Sequence, residues 1–177
     1  MRSDVIKQYY LVLDRIRAED APKVCAQAGI EYQALYLGTA WQPQMDNSPI
    51  WIKISPEDAV WKKWSNDPLW ASSGILFEFD ETADEQNILA SLKNNITVFS
   101  DDHRLLFFRF YSPRVLSMVL PNFNEGNIAS LCGVANRISI SPLLTQLYGF
   151  EHIENPSDEK KVNQLIITTE LAEELLS

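Results

Sequence analysis

The sequence predicts one α/β domain with a mixed β-sheet, helices packed on that sheet, and a small helical appendage at its C-terminal end. Strand and helix patterns alternate through the first half of the chain, which is typical of parallel strand–helix units. Near residue 100 two apolar runs are separated only by a short polar turn, which predicts an antiparallel hairpin. With 177 residues, 46% of them hydrophobic, the chain can bury a core of its own. We therefore expect an α/β domain over residues 1–149 and a variable C-terminal extension over 150–177.

The first elements follow from apolar runs and their flanking residues. Residues 9–13 form an uninterrupted apolar run, which predicts a central strand covered on both faces. A short helix is predicted over residues 22–28, because Pro22 suits a first helical turn and Gly29 suits a left-handed cap. A second strand is predicted over residues 33–37.

The next elements have clear boundary signals. A third strand is predicted over residues 50–54, followed by a helix that begins near Pro56, where an acidic first turn follows the proline. A further strand is predicted over residues 74–79. The sequence Thr-Ala-Asp-Glu from Thr82 is a capping box and predicts the start of another helix.

The second half of the chain begins with the hairpin and then loses the strand–helix alternation. Residues 96–99 and 105–111 are its two predicted strands, so the sheet should be mixed. The remaining predicted elements are helices at 113–120 and 128–134, a strand or extended segment at 137–141, an exposed loop at 151–161, an apolar segment at 165–169 and a terminal helix at 170–176.

Charge and composition exclude several classes of function. The net charge of −9 argues against nucleic acid as a partner, since phosphate binding requires clustered Lys and Arg. No run approaches the length needed to span a bilayer and no signal-peptide-like segment opens the chain, so we expect no membrane partner and a cytoplasmic location. Cys25 and Cys132 have no metal-binding or redox spacing and are expected to be buried thiols.

The sequence offers little for catalysis. It contains no nucleophile motif and no glycine-rich phosphate loop, and both histidines, His103 and His152, fall in predicted turns. Asp14 and Asp80 each follow a predicted strand, which leaves open a hydrolase that uses strand-end carboxylates, although aspartates there commonly begin loops. We therefore predict no catalytic residue, no metal and no cofactor.

The sequence favours partner binding over catalysis. Five tryptophans lie between Trp41 and Trp70, and tryptophan is enriched in binding hot spots. Core packing is the default for Trp51 and Trp61. Trp41 falls in a predicted loop and is the best candidate for an exposed anchor.

The most distinctive segment runs from residue 107 to 116 and couples a strand to a helix. Ser112 suits the N-cap of that helix and Pro113 its first position. Arg109 and Tyr111 are expected to share one strand face, and Arg114 follows on the helix. The two arginines are expected mainly to tie loop carbonyls or carboxylates together, with direct binding of a partner or an anion as the alternative. The predicted partner-binding residues are therefore Trp41, Arg109, Tyr111 and Arg114.

This segment, Phe-Phe-Arg-Phe-Tyr-Ser-Pro-Arg-Val-Leu, resembles the hallmark of the bacterial type VI secretion effector adaptor family. Members of that family typically carry aromatic-Arg-aromatic-Tyr-Asp-Pro-Arg-Val-Leu in the same strand-to-helix setting. Ser112 stands where the family usually has Asp, and Ile50 stands where it usually has Trp. Serine and aspartate are nearly equivalent as N-cap residues, so the first difference should have little effect on the helix start.

The resemblance implies a function that composition alone does not. It implies a non-catalytic cytoplasmic adaptor, or chaperone, that binds a toxin effector and helps to load it on a VgrG spike protein, without a cofactor. An immunity or inhibitor protein that neutralises a toxin with its acidic surface is the alternative that the net charge leaves open.

Overall fold

The computed structural model describes residues 6–177, and within them strands and helices alternate along most of the chain. The strands are β1 (Lys7–Leu13), β2 (Tyr32–Ala34), β3 (Ile50–Ile54), β4 (Gly74–Asp80), β5 (Thr97–Ser100), β6 (Leu105–Phe107), β7 (Arg137–Ser139), β8 (His152–Glu154) and β9 (Ile166–Ile167). The α-helices are α1 (Ala21–Ala28), α2 (Ala59–Asn66), α3 (Pro68–Ala71), α4 (Glu85–Asn94), α5 (Pro113–Val119), α6 (Glu125–Cys132), α7 (Thr145–Tyr148) and α8 (Thr169–Leu176). Short 3₁₀ helices lie at Gln42–Asn47, Leu120–Asn122 and Pro142–Leu144.

The larger sheet is antiparallel and has β1 near its centre. Its strand order is β2-β3-β1-β4-β7-β8. Tyr10 and Val12 belong to the hydrophobic cluster on one face of β1, whereas Leu11 and Leu13 belong to the cluster on the other face, and all four are fully buried. The prediction of a central strand covered on both faces is confirmed.

The predicted parallel strand–helix units are not confirmed. β3 and β4 are both antiparallel to β1, so they run in the same direction, with α2 and α3 connecting them. β1 lies between them in the sheet, and they therefore share no hydrogen bonds. A strand–helix–strand pattern indicates the direction of successive strands but does not determine which strands become neighbours.

The predicted hairpin is confirmed and belongs to a second, smaller sheet. β5 pairs antiparallel with β6 and parallel with β9, in the order β6-β5-β9, so this is the mixed sheet of the protein. The second predicted strand of the hairpin is shorter than expected, because β6 ends at Phe107. Beyond it the chain turns, and the Ser112 amide donates to the carbonyl oxygen of Arg109 at 3.0 Å.

Residues 150–177 contribute to both sheets and to the core. β8, which lies in the predicted exposed loop, pairs with β7 at the edge of the larger sheet, and β9 pairs with β5 in the smaller one. Leu171 and Ala172 of α8 are buried in the main core. The division of the chain at residue 149 and the variability of the extension stay predictions.

The carboxylate of Asp80 is held by hydrogen bonds and ion pairs that favour its charged form. It accepts hydrogen bonds from Asn136 Nδ2 at 2.9 Å, Lys7 Nζ at 3.2 Å and Lys160 Nζ at 3.4 Å. The pKa of Asp80 is lowered, mainly by the Asn136 hydrogen bond, with the two lysines adding to the effect. A lowered folded-state pKa stabilises the protein at neutral pH and loses that contribution as the pH falls through the folded-state value.

We expect Asp80→Asn to remove this acid-dependent contribution. The free energy of unfolding at neutral pH should fall by less than about 1 kcal/mol, because the carboxylate is almost half exposed and water screens its charge. The measurement is urea unfolding of both proteins at several pH values from neutral to strongly acidic. The gap between them should shrink below pH 4, and a gap that stayed constant would contradict the assignment.

Candidate functional site

Three of the four residues singled out in the sequence, Arg109, Tyr111 and Arg114, meet at a cleft beside the start of α5, which we call the motif cleft. It has a volume of about 890 Å³. Its lining includes Arg17, Phe107, Arg109, Arg114, Tyr148 and Leu175. A second cavity of about 610 Å³, the side lobe, shares Arg17, Phe107 and Arg109 with it and adds Trp41. Volumes of this size suit small ligands or the side chains of a peptide.

Buried aromatic residues hold the backbone of Arg109 in place. Phe108 and Phe110, on either side of it, are essentially inaccessible to solvent. The Phe110 ring lies 5.9 Å from that of Phe77 and 5.6 Å from that of Tyr111 in edge-to-face contacts. These two anchors point Arg109 outward into solvent, since the buried rings fix the chain on both sides.

The expected common face for Arg109 and Tyr111 is wrong. Arg109 is exposed, whereas Tyr111 is 5% exposed and lies in the core cluster. The reason is that residues 108–111 do not continue β6, so the alternation of faces along a strand does not apply to them. Tyr111 therefore forms part of the base of the cleft.

The start of α5 is capped as predicted. Ser112 Oγ accepts a hydrogen bond from the Val115 amide at 3.3 Å, and Pro113 occupies the first turn. Leu116 and Val119 face the core, which leaves Arg114 exposed in the wall of the motif cleft. The cap thus fixes the helix start from which Arg114 projects.

Neither arginine of the motif has the architectural contacts that were expected. Among residues 6–177, no hydrogen bond or ion pair joins the guanidinium of Arg109 or Arg114 to another group. Arg15 has that role instead, because its guanidinium donates to the carbonyl oxygens of Ser48 at 3.1 Å and Met45 at 3.0 Å. The role of Arg15 could not be anticipated from the sequence, because its contacts lie about thirty residues away along the chain.

Two buried phenols lie beneath Arg109. Burial raises the pKa of Tyr36 to about 12, while hydrogen bonding to Tyr111 and the charge of Arg109 partly offset that rise. Burial also raises the pKa of Tyr111, and the nearby Tyr36 and Asp14 add to the effect. Both phenols are therefore neutral near pH 7, so the positive charge of Arg109 is not cancelled by a phenolate.

Trp41 is half-buried, so it differs from the freely exposed anchor that was expected. Its indole Nε1 donates to Thr97 Oγ1 at 2.8 Å, and its ring centroid lies 5.0 Å from that of Phe107. Trp41 thus joins the loop before β3 to the smaller sheet. Its remaining surface forms an apolar wall of the side lobe.

The two strand-end carboxylates do not form a common site. β1 and β4 pair with Lys7 opposite Asp80 and Leu13 opposite Gly74, so Asp14 and Asp80 lie at opposite ends of the two strands. Asp14 Oδ1 accepts from the amides of Ile16 at 3.0 Å and Arg17 at 3.4 Å, as a carboxylate that begins a turn does.

One polar pair was not anticipated from the sequence. Ser139 Oγ and His152 Nδ1 lie 2.6 Å apart, at directly opposed positions of β7 and β8, and Glu151 Oε1 lies 3.7 Å from the other ring nitrogen. Ser139 is 7% exposed. The pair is a cross-strand contact that links the edge strand β8 to the sheet. No sequence spacing indicated it, because the strand register that brings the two residues together was unknown.

Within residues 6–177 no three His, Cys, Asp or Glu side chains are grouped so that they could hold a metal ion. In the same part of the chain, no helix has the length and apolar composition that crossing a membrane requires. Cys25 and Cys132 are free and buried, which confirms the prediction for both thiols.

The fold and the site define a mixed α/β protein whose motif arginines face an open cleft. The chain belongs to the family described as domain of unknown function DUF4123, whose sequence profile matches residues 9–130. This family is linked to type VI secretion effector adaptors. The matched residues include most of β1, from residue 9 onward, and the whole motif segment. No curated protein and no solved structure matches the chain.

Proposed function

We propose that this protein is a non-catalytic adaptor, or chaperone, that binds a type VI secretion toxin effector in the cytoplasm and helps to load it on a VgrG spike protein. The observation that carries the proposal is the position of the motif arginines. Arg109 and Arg114 are exposed in one cleft, while the residues that flank them are fixed in the core. The family to which the chain belongs supports the same function.

The local structure supports a binding role for this segment. A rigid scaffold with outward-facing arginines lowers the entropy lost on association, because only the arginine side chains must be ordered by the partner. Arginine is also enriched in binding hot spots, where its planar guanidinium can make paired hydrogen bonds with carboxylates. The half-buried Trp41 supplies an apolar surface in the side lobe that Arg109 also lines.

The proposal is tested by reconstituting the complex from purified proteins. The protein is mixed with the toxin effector and the VgrG spike protein of the same bacterium, and the masses of the eluted species are measured by size-exclusion chromatography with light scattering. We expect a stable complex with the effector and a larger complex when the spike protein is added. Separate elution of all three proteins would refute the adaptor function.

The same purified proteins distinguish an adaptor from an immunity protein. The net charge of −9 is the observation that would favour the latter, since an acidic surface can cover the basic site of a toxin. Toxin activity is measured with and without an excess of this protein. Inhibition without any association with the spike protein would favour the immunity function over the adaptor function.

A further inference from the structure

The arginines of the motif cleft differ from five other basic residues of this protein in having no carboxylate partner among residues 6–177. Lys7, Lys63, Arg104, Arg137 and Lys160 each lie within 4 Å of a carboxylate. In the part of the chain that the structure describes, no carboxylate lies within that distance of the guanidinium groups of the three cleft arginines. These three are Arg17, Arg109 and Arg114.

Arg17 was not anticipated as part of the site. Its Nη2 donates to Ser72 Oγ at 2.8 Å and its Nε donates to Ser73 Oγ at 3.2 Å. Both partners are neutral hydroxyls, so they orient the guanidinium without neutralising it. Arg17 therefore contributes an oriented positive charge to the cleft, beside the exposed side chain of Arg109.

The sign of this local charge is opposite to that of the whole protein. The chain carries a net charge of −9, yet its motif cleft collects three arginines. Two acidic side chains also line the cleft, those of Asp14 and Glu174, and the first of them accepts hydrogen bonds from backbone amides. A concave surface with low-dielectric walls concentrates the field of its charges, which favours a ligand of the opposite sign.

We propose that the motif cleft binds an acidic peptide segment of the effector, with Arg17, Arg109 and Arg114 pairing with its carboxylates. The proposal rests on the proposed adaptor function and names the chemistry of the partner. The apolar walls formed by Phe107, Val115 and Met118 favour a peptide whose acidic residues are interspersed with apolar ones. A polyanion such as nucleic acid is disfavoured, because the remaining surface of the protein would repel it.

The first experiment measures peptide binding directly by fluorescence anisotropy. The probe is a short fluorescein-labelled peptide in which Glu alternates with Ser and Leu, and two matched peptides carry Gln or Lys in place of Glu. We expect saturable binding of the Glu peptide alone, weaker at higher salt. Equal binding of the Gln or Lys peptide, or stronger binding of a labelled single-stranded DNA, would overturn the proposal.

Arginine variants then locate the site. Replacing both Arg109 and Arg114 by Gln should weaken binding of the Glu peptide about a hundredfold, since each lost charge-assisted hydrogen bond is worth about tenfold. Arg17→Gln alone should weaken it about tenfold. Lys62→Gln is the matched control, because Lys62 is exposed on α2 and does not line the cleft.

Thermal unfolding of each variant separates a binding defect from a folding defect. The double variant should unfold at the same temperature as the wild type, because its two guanidiniums have no partner among residues 6–177. Unchanged peptide affinity in a folded double variant would overturn the proposal. Lost affinity together with a much lower unfolding temperature would also overturn it, because the arginines would then be structural.

The same variants distinguish this inference from the adaptor function. If the wild type and the double variant bind the purified effector equally well, the adaptor function stands and the acidic-peptide cleft is refuted. If the wild type binds no effector but binds the Glu peptide through the three arginines, the adaptor function fails while the chemistry of the cleft is retained.

Discussion

Gly133→Ala is expected to lower the free energy of unfolding by about 3 kcal/mol or more, since it combines backbone strain with steric overlap in the core. Gly133 caps α6 with φ 59° and ψ −117°, a conformation that is open mainly to glycine. A Cβ atom added there would overlap the hydroxyl of Ser91, which is buried on α4. That hydroxyl cannot simply move, because it accepts a hydrogen bond from the Val134 amide at 3.1 Å. Urea unfolding followed by circular dichroism gives the change.

A second glycine provides the control for this prediction. Gly29 also has a positive φ, 66°, at the end of α1, but a Cβ atom added there would meet nothing within 4 Å. Gly29→Ala should therefore cost only about 1 kcal/mol, the penalty for a left-handed residue with a side chain. Equal losses in the two variants would show that contact with Ser91 contributes nothing.

Phe110→Ala is expected to lower the free energy of unfolding by about 3–5 kcal/mol, the range for removing a fully buried aromatic side chain. The side chain is 0% exposed, and its ring contacts those of Phe77, Phe108 and Tyr111. The lost ring would leave a cavity beneath Arg109, so binding of the proposed effector partner should weaken as well. Chemical denaturation measures the free energy of unfolding of the variant. Size-exclusion chromatography shows whether the variant still forms the proposed complex with the effector.

Phe123→Ala is the matched control for this substitution. Phe123 follows the 3₁₀ helix at Leu120–Asn122 and is only partly buried against the core. Its removal should cost about 1–2 kcal/mol, because less apolar surface is exposed and solvent can fill the space. If both variants lost the same stability, the aromatic cluster around Phe110 would not be the anchor of the motif.

The local elements of the fold could be predicted because their signals are local. Ser112 before Pro113 indicated the start of α5, and Gly29 indicated the end of α1; both caps are present in the structure. The uninterrupted apolar run of β1 indicated burial on both faces, which the two core clusters confirm. Each of these features depends on residues within a few positions of one another.

Two of the errors arose where apolar residues are buried without forming a strand. Leu35 and Tyr36 were assigned to the second strand, yet β2 ends at Ala34 and both residues are buried in the turn that follows. Residues 108–111 show the same effect after β6. A buried turn requires apolar side chains as much as a buried strand does. An apolar run in the sequence therefore indicates burial but does not distinguish a strand from a turn.

The candidate site was predicted in part. The motif segment indicated that Arg109 and Arg114 would bracket one turn, and both line the same cleft. The roles of Arg15 and Arg17 were not predictable, because their partners are distant in sequence and become neighbours only when β1 reaches the loops before β3 and β4. The order of strands in the sheet, which brings these loops together, has no local signal.

The parallel pair formed by β5 and β9 has a consequence for how the protein folds. Phe99 and Ser100 meet Ile166 and Ile167, so this ladder closes a long loop of chain, and contacts of that kind form slowly because loop closure costs entropy. α8 follows β9 directly and supplies Leu175 to the wall of the motif cleft. The cleft is therefore complete only once this C-terminal ladder has formed, and a partly folded chain without it would present an incomplete binding surface.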